Sequence, residues 1–178
     1  MTRDRLILDS VSADGEVGRW LAALEEVRRD TLAVLADIPS DAIDDDPGDG
    51  GDTIGTVLYH IALIEADWVF SDVLARAEAV PADLFPVGDR LPDSHLSPLR
   101  GETMAQHLDR LARTRQLILD ELRPMSAAEF HGARPRERID VSAGWVVFHL
   151  IDHEVEHRVR LSALRDRLRR DRPDLETA

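Results

Sequence analysis

Apolar residues recur every three or four positions in four long stretches of this chain, and this spacing constrains the fold more than any other feature. One face of an α-helix has this period, whereas a half-buried strand alternates every second residue. The stretches cover about residues 16–36, 53–79, 102–122 and 142–170. Alternating β-branched runs bounded by turns are almost absent, so the sequence predicts an all-α fold. Four amphipathic helices favour an antiparallel four-helix bundle.

Turn-forming residues separate these stretches. Residues 41–52 are rich in Asp, Gly and Pro but lack the alternation and closing Glu of an EF-hand loop, so we interpret them as an acidic linker. Residues 81–98 contain four Pro and no clear period, which predicts a long crossover loop, and such loops are often functional. We predict one domain over residues 1–178, with an ordered bundle from about 16 to 170 and a frayed polar tail at 171–178.

The composition excludes several classes of function. The formal net charge of −13 argues against binding to nucleic acid, whose phosphates attract a basic surface. The absence of Cys excludes disulfides and thiolate metal ligands. Residues 1–8 lack the long apolar run of a signal peptide, and no stretch is expected to approach the apolar length of a membrane span. We therefore expect a cytoplasmic enzyme or binding protein.

A ladder of histidines marks the last helical stretch. His149, His153 and His157 are four residues apart, so they stack on one face of a helix, where neutral imidazoles can converge on one ion. His60 lies alone on an otherwise apolar helix, where an imidazole needs a partner. We predict a metal site formed by His60, His153 and His157. The other histidines are predicted to lie beside loops or on polar faces: His95, His107 and His131.

The ligand set indicates the chemistry of the site. Three histidines leave at least one coordination position open, as in catalytic rather than structural sites. An all-nitrogen set suits one divalent ion such as zinc, nickel, cobalt or iron, with zinc or nickel expected. The string His153-Glu154-Val155-Glu156-His157 also satisfies the H-E-x-x-H signature of zinc proteases, with Glu154 as general base. No histidine follows His157 to supply the downstream third ligand, so a hydrolase remains the weaker alternative.

One charged residue on an apolar helical stripe needs a partner. Arg115 interrupts the apolar stripe of the third stretch, where a buried guanidinium requires an acid or a ligand carboxylate. Glu25 and Asp67 are candidate partners, and an ion pair is favoured over substrate binding. Asp67 is also seven residues after His60 and is a candidate hydrogen-bond acceptor that orients this ligand.

Three segments resemble the DinB/YfiT-like superfamily. Residues 145–158 (WVVFHLIDHEVEHR) are similar to its last-helix motif, and residues 53–68 (TIGTVLYHIALIEADW) to its second-helix motif. Residues 98–103 (PLRGET), which lead into the third helix, are also similar. The resemblance covers most of the chain, from about residue 16 to 170, and this superfamily is unrelated to the DNA polymerase with the same name.

The resemblance implies a four-helix bundle with a divalent metal on His60, His153 and His157. His149 matches a frequent extra histidine and is expected beside the ligands rather than among them. Characterised relatives include transferases that use thiols such as mycothiol or bacillithiol, and a thiol-dependent maleylpyruvate isomerase. The expected function is metal-dependent transfer or addition of a small thiol to a small electrophile. A non-catalytic, stress-related metal-binding bundle is the alternative.

The sequence departs from the family pattern after the last ligand. Many members read His-Arg-Gly-Gln, whereas this chain reads His157-Arg158-Val159-Arg160. Arg160 is three residues after His157 and is expected near the metal face. There it either holds an anionic group of the substrate or pairs with Glu156.

A homodimer is also expected. Family members are commonly dimeric, and the second helical stretch is apolar over most of its circumference, with Trp68, Val69 and Phe70 adjacent. This surface is larger than one bundle is expected to cover.

Overall fold

The computed structural model describes residues 7–36, 38–48, 50–91, 96–137 and 139–172. Over these ranges the chain is mainly helical, which confirms the all-α prediction. The elements follow in chain order: α1 (Gly15–Leu35), α2 (Ile54–Ala66), a π-helical segment (Asp67–Val73), a 3₁₀ turn (Ala77–Ala79), α3 (Met104–Leu122), α4 (Ala127–His131), β1 (Arg134–Pro135), β2 (Asp140–Val141) and α5 (Ala143–Asp171). The four long helices form a bundle in which α5 packs on α1 and α2, and α2 packs on α3. The predicted tail is outside the described residues from 173 onwards.

Polar side chains determine where the long helices begin. The Thr53 hydroxyl accepts a hydrogen bond from the amide of Thr56 at 3.2 Å, and Ser142 does the same for Trp145 at 3.1 Å. Thr103 and Gln106 form a reciprocal capping box at the start of α3. Each cap satisfies an amide that has no partner within the helix, which typically contributes about 1 kcal/mol. The predicted starts of α2 and α5 are therefore confirmed.

The second helix does not continue to residue 79 as a single α-helix. After Ala66 it widens into the π-helical segment, where the amide of Leu74 donates to the carbonyl of Val69 at 2.9 Å. It ends at Val73, and Ala75, two residues later, has a φ of 53° in the left-handed region. The sequence could not show this change, because a helix that is apolar on nearly all sides has no distinct stripe whose period could shift.

The second helix is covered by its own chain. Val69 and Phe70 are fully buried in the bundle, while Trp68 is half-buried. The apolar surface that suggested a dimer is thus used inside the monomer, because the π-helical segment packs on α5. Homodimerisation stays a prediction, and a homodimer would have to form through another surface.

One helical stretch is long and apolar enough to cross a membrane, contrary to the expectation from sequence. Ile54–Val73 has a mean hydropathy of 1.2 over its best window, but 72% of that window is buried inside the fold. A core helix of a globular bundle passes the same test, so this stretch is weak support for a membrane span.

Four charged residues divide the interior into two apolar clusters. Arg28, Glu65, Arg115 and Glu154 come one from each long helix, and we call them the charge layer. On each helix the charged residue lies between residues of the first cluster and residues of the second. The first cluster includes Leu21, Phe70, Ile118, Phe130 and Leu150, and the second includes Leu35, Leu58, Ile61, Leu111 and Leu161.

Candidate metal centre

Three histidines converge at one point of the bundle. The Nε2 atoms of His60 and His153 are 3.1 Å apart, and those of His153 and His157 are also 3.1 Å apart. Each residue offers a ligand atom within 4.8 Å of the others. Imidazole nitrogens at about 2.0–2.1 Å from a tetrahedral ion lie about 3.3 Å from one another, so the spacing fits a shared metal. Helix α2 supplies His60, and one turn of α5 separates His153 from His157.

The environment keeps these imidazoles neutral. Burial lowers the pKa of His60, although the nearby Asp89 carboxylate acts in the opposite direction. Burial lowers the pKa of His153 to about 3, with a further contribution from the charges of His157 and His60. Burial likewise lowers the pKa of His157 to about 4, assisted by the guanidinium of Arg160. Neutral imidazole is the form that binds a metal, so the site is ready for an ion at neutral pH.

A loop carboxylate orients His60. The Nδ1 atom of His60 lies 2.6 Å from Oδ1 of Asp89, which places the proton on Nδ1 and leaves the Nε2 lone pair for a metal. Asp89 belongs to the predicted crossover loop, where its carbonyl accepts a hydrogen bond from the amide of Ser97 at 2.9 Å. Two residues earlier, Val87 is bonded through both its amide and its carbonyl to the hydroxyl of Tyr59 on α2. The loop is therefore fixed to the helix that carries His60.

Asp67 does not orient His60, contrary to our prediction. It is exposed, and its Oδ1 accepts a hydrogen bond from the hydroxyl of Ser71 at 2.7 Å. Seven residues of α-helix return to the same face but advance about 10 Å along the axis, which is beyond the reach of a direct hydrogen bond. The two side chains share a direction around the helix, but this rise separates them.

His149 lies next to the ligands within a group of rings. Its ring stacks on Trp145, with centroids 5.3 Å apart and an interplanar angle of 8°. Trp68 contacts it edge-on at 4.8 Å, and the ring of His153 is 6.0 Å away. The structure thus places His149 beside the three converging histidines rather than among them.

Two arginines lie at the rim of the centre, each with a carboxylate. Arg160 pairs with Asp52 at 2.7 Å rather than with the exposed Glu156. Arg90 contacts the Oδ2 atom of Asp89 at 3.2 Å. Both arginines are close enough to His157 to lower its pKa. They give the rim two positive groups that an anionic ligand can approach.

Arg115 is part of the charge layer. It donates to Glu25 at 2.8 Å and to Glu154 at 2.9 Å, and it also contacts Glu65. Arg28 holds both oxygens of Glu154, through Nε at 2.7 Å and Nη2 at 3.1 Å. The predicted ion pair with Glu25 is confirmed, whereas Asp67 takes no part in it because it faces outward.

Glu154 faces away from the metal centre. Burial favours the neutral carboxyl, but Arg28 and Arg115 outweigh that effect and hold the pKa of Glu154 below its usual value. A residue that follows His153 directly points about 100° away from it around the helix. Glu154, the glutamate of the H-E-x-x-H string, is therefore paired with the arginines of the charge layer. It is not positioned to act as a base on a metal-bound ligand.

His107 is buried, contrary to the prediction that it lies on a polar face. It is 1% exposed, and its Nδ1 lies 3.4 Å from the guanidinium of Arg110. The buried face of α3 is wider than its apolar stripe, because it also contains the polar residues His107 and Arg110. His131 is exposed and pairs with Glu16 at 2.7 Å, as predicted for a surface residue. His95 lies outside the described residues.

Comparisons with known proteins identify the family of this chain. No curated protein matches the chain. The family model of the DinB superfamily matches residues 23–159, which is more than half of the chain. The matched range contains His60, Asp89, His153 and His157. The chain therefore belongs to the DinB superfamily.

Proposed function

We propose that this protein is a divalent-metal-dependent enzyme that transfers or adds a low-molecular-weight thiol, of the mycothiol or bacillithiol type, to a small electrophile. The observation that carries the proposal is the convergence of three neutral imidazoles, His60, His153 and His157, whose number leaves a coordination position open. Zinc or nickel suits this donor set. Membership of the DinB superfamily, which includes metal-binding enzymes with thiol substrates, supports it. We place the protein in the cytoplasm, where such thiols occur.

The groups at the centre have separate roles in such a reaction. A divalent ion held by neutral ligands keeps its full positive charge and, when bound, favours the thiolate form of a thiol. Asp89 holds the ring of His60 in the orientation that directs Nε2 to the centre. The thiol proton leaves to solvent while sulfur forms a bond to the electrophilic carbon. In a substitution the electron pair of the broken bond departs with the leaving group, whereas in an addition the electron pair of the π bond takes up a proton.

The rim favours an anionic reactant. Arg90 and Arg160 lie close enough to His157 to lower its pKa, and each carries a delocalised positive charge. A carboxylate on the electrophile or on the thiol would be attracted by both. The guanidinium group of Arg160 stands where many relatives have an amide side chain. This change favours a negatively charged substrate group over a neutral one.

A non-catalytic bundle and an H-E-x-x-H hydrolase are the two alternative functions. A non-catalytic metal-binding bundle would show the same ion without turnover. A hydrolase of the H-E-x-x-H type would require Glu154 as general base, and this carboxylate faces the two arginines of the charge layer instead. The geometry therefore favours thiol chemistry over peptide hydrolysis.

Metal analysis and a thiol-consumption assay test the proposal together. We expect about one zinc or nickel ion per chain, and its loss in His153→Ala. Zinc- or nickel-loaded protein should consume mycothiol, bacillithiol or glutathione in the presence of monochlorobimane or 1-chloro-2,4-dinitrobenzene. His131→Ala, which changes an exposed histidine, should retain both the metal and the turnover. Full metal loading without consumption of any thiol would favour the non-catalytic bundle, and failure to bind either ion would refute the metal centre.

A further inference from the structure

Three aromatic rings form a continuous surface beside the converging histidines. Trp68, Trp145 and His149 contact one another with centroid distances of 4.8–5.4 Å, and we call them the aromatic wall. The wall adjoins the metal centre through His149, whose ring is 6.0 Å from that of His153. The two arginines of the rim are close enough to His157 to lower its pKa, and each is paired with a carboxylate. The centre is thus bordered by aromatic rings beside His153 and by arginine–carboxylate pairs near His157.

The wall remains open to solvent. Trp145 is 48% exposed although it stacks on His149, whereas a ring that serves only the core, such as Phe130, is fully buried. Single exposed apolar residues are common, but a contiguous group of rings next to a polar site is characteristic of a ligand surface. Aromatic residues of this kind give large contact areas with few rotatable bonds.

The backbone beneath Trp68 gives a second, independent indication. Trp68 belongs to the π-helical segment, which begins one residue earlier, directly after α2 ends. π-helices are rare, less favourable than α-helices and concentrated at functional sites. The segment follows the same helix that supplies His60, and it places Trp68 against both other rings of the wall. The unusual backbone therefore assembles the wall at the centre.

The dimensions of the wall indicate the size of its ligand. Trp145 precedes His153 by eight residues, which corresponds to about 12 Å along α5. A metal-binding head group attached to two fused rings is about long enough to extend from the open metal position to Trp145. Offset stacking or edge contacts with three rings favour a flat, unsaturated group over a saturated one.

We propose that the aromatic wall binds a planar unsaturated or aromatic part of the electrophilic substrate, whose polar head lies at the three histidines. The inference rests on the proposed function in that it needs the metal centre. Trp68 and Trp145 then select substrates by their shape. They take no part in the reaction at sulfur.

Hydroxamates provide a test that requires no turnover, because their head group chelates zinc. The zinc-loaded protein is titrated calorimetrically with three probes: acetohydroxamate, naphthalene-2-carbohydroxamate and its saturated decahydronaphthalene counterpart. We expect the naphthyl probe to bind at least about tenfold more tightly than either of the others. This advantage should fall below about threefold in Trp145→Ala and in Trp68→Ala. Phe148→Ala is the matched control, since Phe148 is 52% exposed on the same helix, and it should keep the advantage.

The outcomes separate this inference from the proposed function. Equal affinity for the naphthyl and saturated probes, or an unchanged ratio in Trp145→Ala, overturns the wall even when thiols are consumed. A ratio that falls equally in Phe148→Ala also overturns it. A naphthyl preference that depends on both tryptophans supports the wall even when no thiol is consumed, and in that case only the proposed chemistry fails. Trp145→Ala keeps the test decisive if Trp68→Ala disturbs folding, because Trp145 is largely outside the core.

Discussion

Asp89 connects the crossover loop to the metal centre through one hydrogen bond. His153 and His157 have buried Nδ1 atoms without a hydrogen-bond partner among the described residues, so within that part of the chain His60 is the ligand held by a carboxylate. Metal-binding histidines usually depend on such an acceptor for their tautomer and orientation. The loss of Asp89 is therefore expected to weaken the site without removing any ligand.

Asp89→Asn should lower zinc affinity by about tenfold to a hundredfold. The amide keeps the shape of the side chain but loses the negative charge that favours a proton on Nδ1 of His60. Competition with a chromophoric chelator measures the change. Asp67→Asn is the control, because Asp67 is exposed and bonded to Ser71. Equal affinities for wild type and Asp89→Asn would contradict the role assigned to Asp89.

Glu154→Gln should lower the free energy of unfolding by about 3 kcal/mol, because it leaves Arg28 and Arg115 buried with one negative partner fewer. Urea denaturation measures the change. Zinc stoichiometry should stay at its wild-type value, since Glu154 does not face the centre. Glu156→Gln, two residues away and exposed, is expected to change stability by less than about 0.5 kcal/mol. A stable Glu154→Gln variant that loses its metal would reverse this assignment.

At the scale of elements, the parts that could be predicted depend on local spacing. The starts of α2 and α5 follow from capping residues, and the pair His153 and His157 follows from the four-residue repeat of a helix. His60 was recognisable because an isolated imidazole on an apolar helix is unusual. Each of these signals lies within a single helix, so it can be recognised without knowledge of the tertiary fold.

The parts that could not be predicted depend on contacts between distant segments. Asp89 is 29 residues from His60 in a loop without a period, so nothing in its spacing connects the two. Glu65 and Arg28 are charged residues that resemble a solvated helix face until the packing of four helices brings them together. The π-helical segment is only seven residues long, so a change in its period is too short to recognise in the sequence.

At the scale of the whole molecule, protonation couples the metal centre to stability. His153 and His157 have pKa values of about 3 and about 4 in the fold, whereas an unfolded histidine has about 6.5. Below pH 6.5 the unfolded chain thus binds protons that the folded chain excludes. The stability is fully present above that pH and is lost progressively as the pH falls toward 4.

Metal-free protein should accordingly become less stable between pH 7.5 and 5.0, a range chosen to avoid most carboxylate titration. Urea denaturation in the presence of a chelator gives the free energy of unfolding at each pH. The slope should be shallower in His153→Gln, which removes one of the two depressed groups. An identical slope in the variant and the wild type would show that these histidines do not control the acid response.

A homodimer remains our expectation for the assembly, with α5 as the candidate contact. Val159 is 66% exposed on this helix, so a large apolar side chain is available there for a partner. Light scattering at micromolar concentration should give twice the mass of 19.9 kDa. Val159→Glu should shift it toward the monomer, whereas Glu156→Gln should not. A monomeric wild type would contradict the expectation.

The charge layer also restricts how this sequence can change over time. Replacing any one of Arg28, Glu65, Arg115 or Glu154 leaves an opposite charge stranded in the interior, while replacing all four with apolar residues of similar volume joins the two clusters at little cost. The four residues are therefore expected to be conserved together or replaced together. Single steps between the charged and the apolar forms pass through unstable intermediates, so lineages are expected to keep the complete set or to lack it entirely.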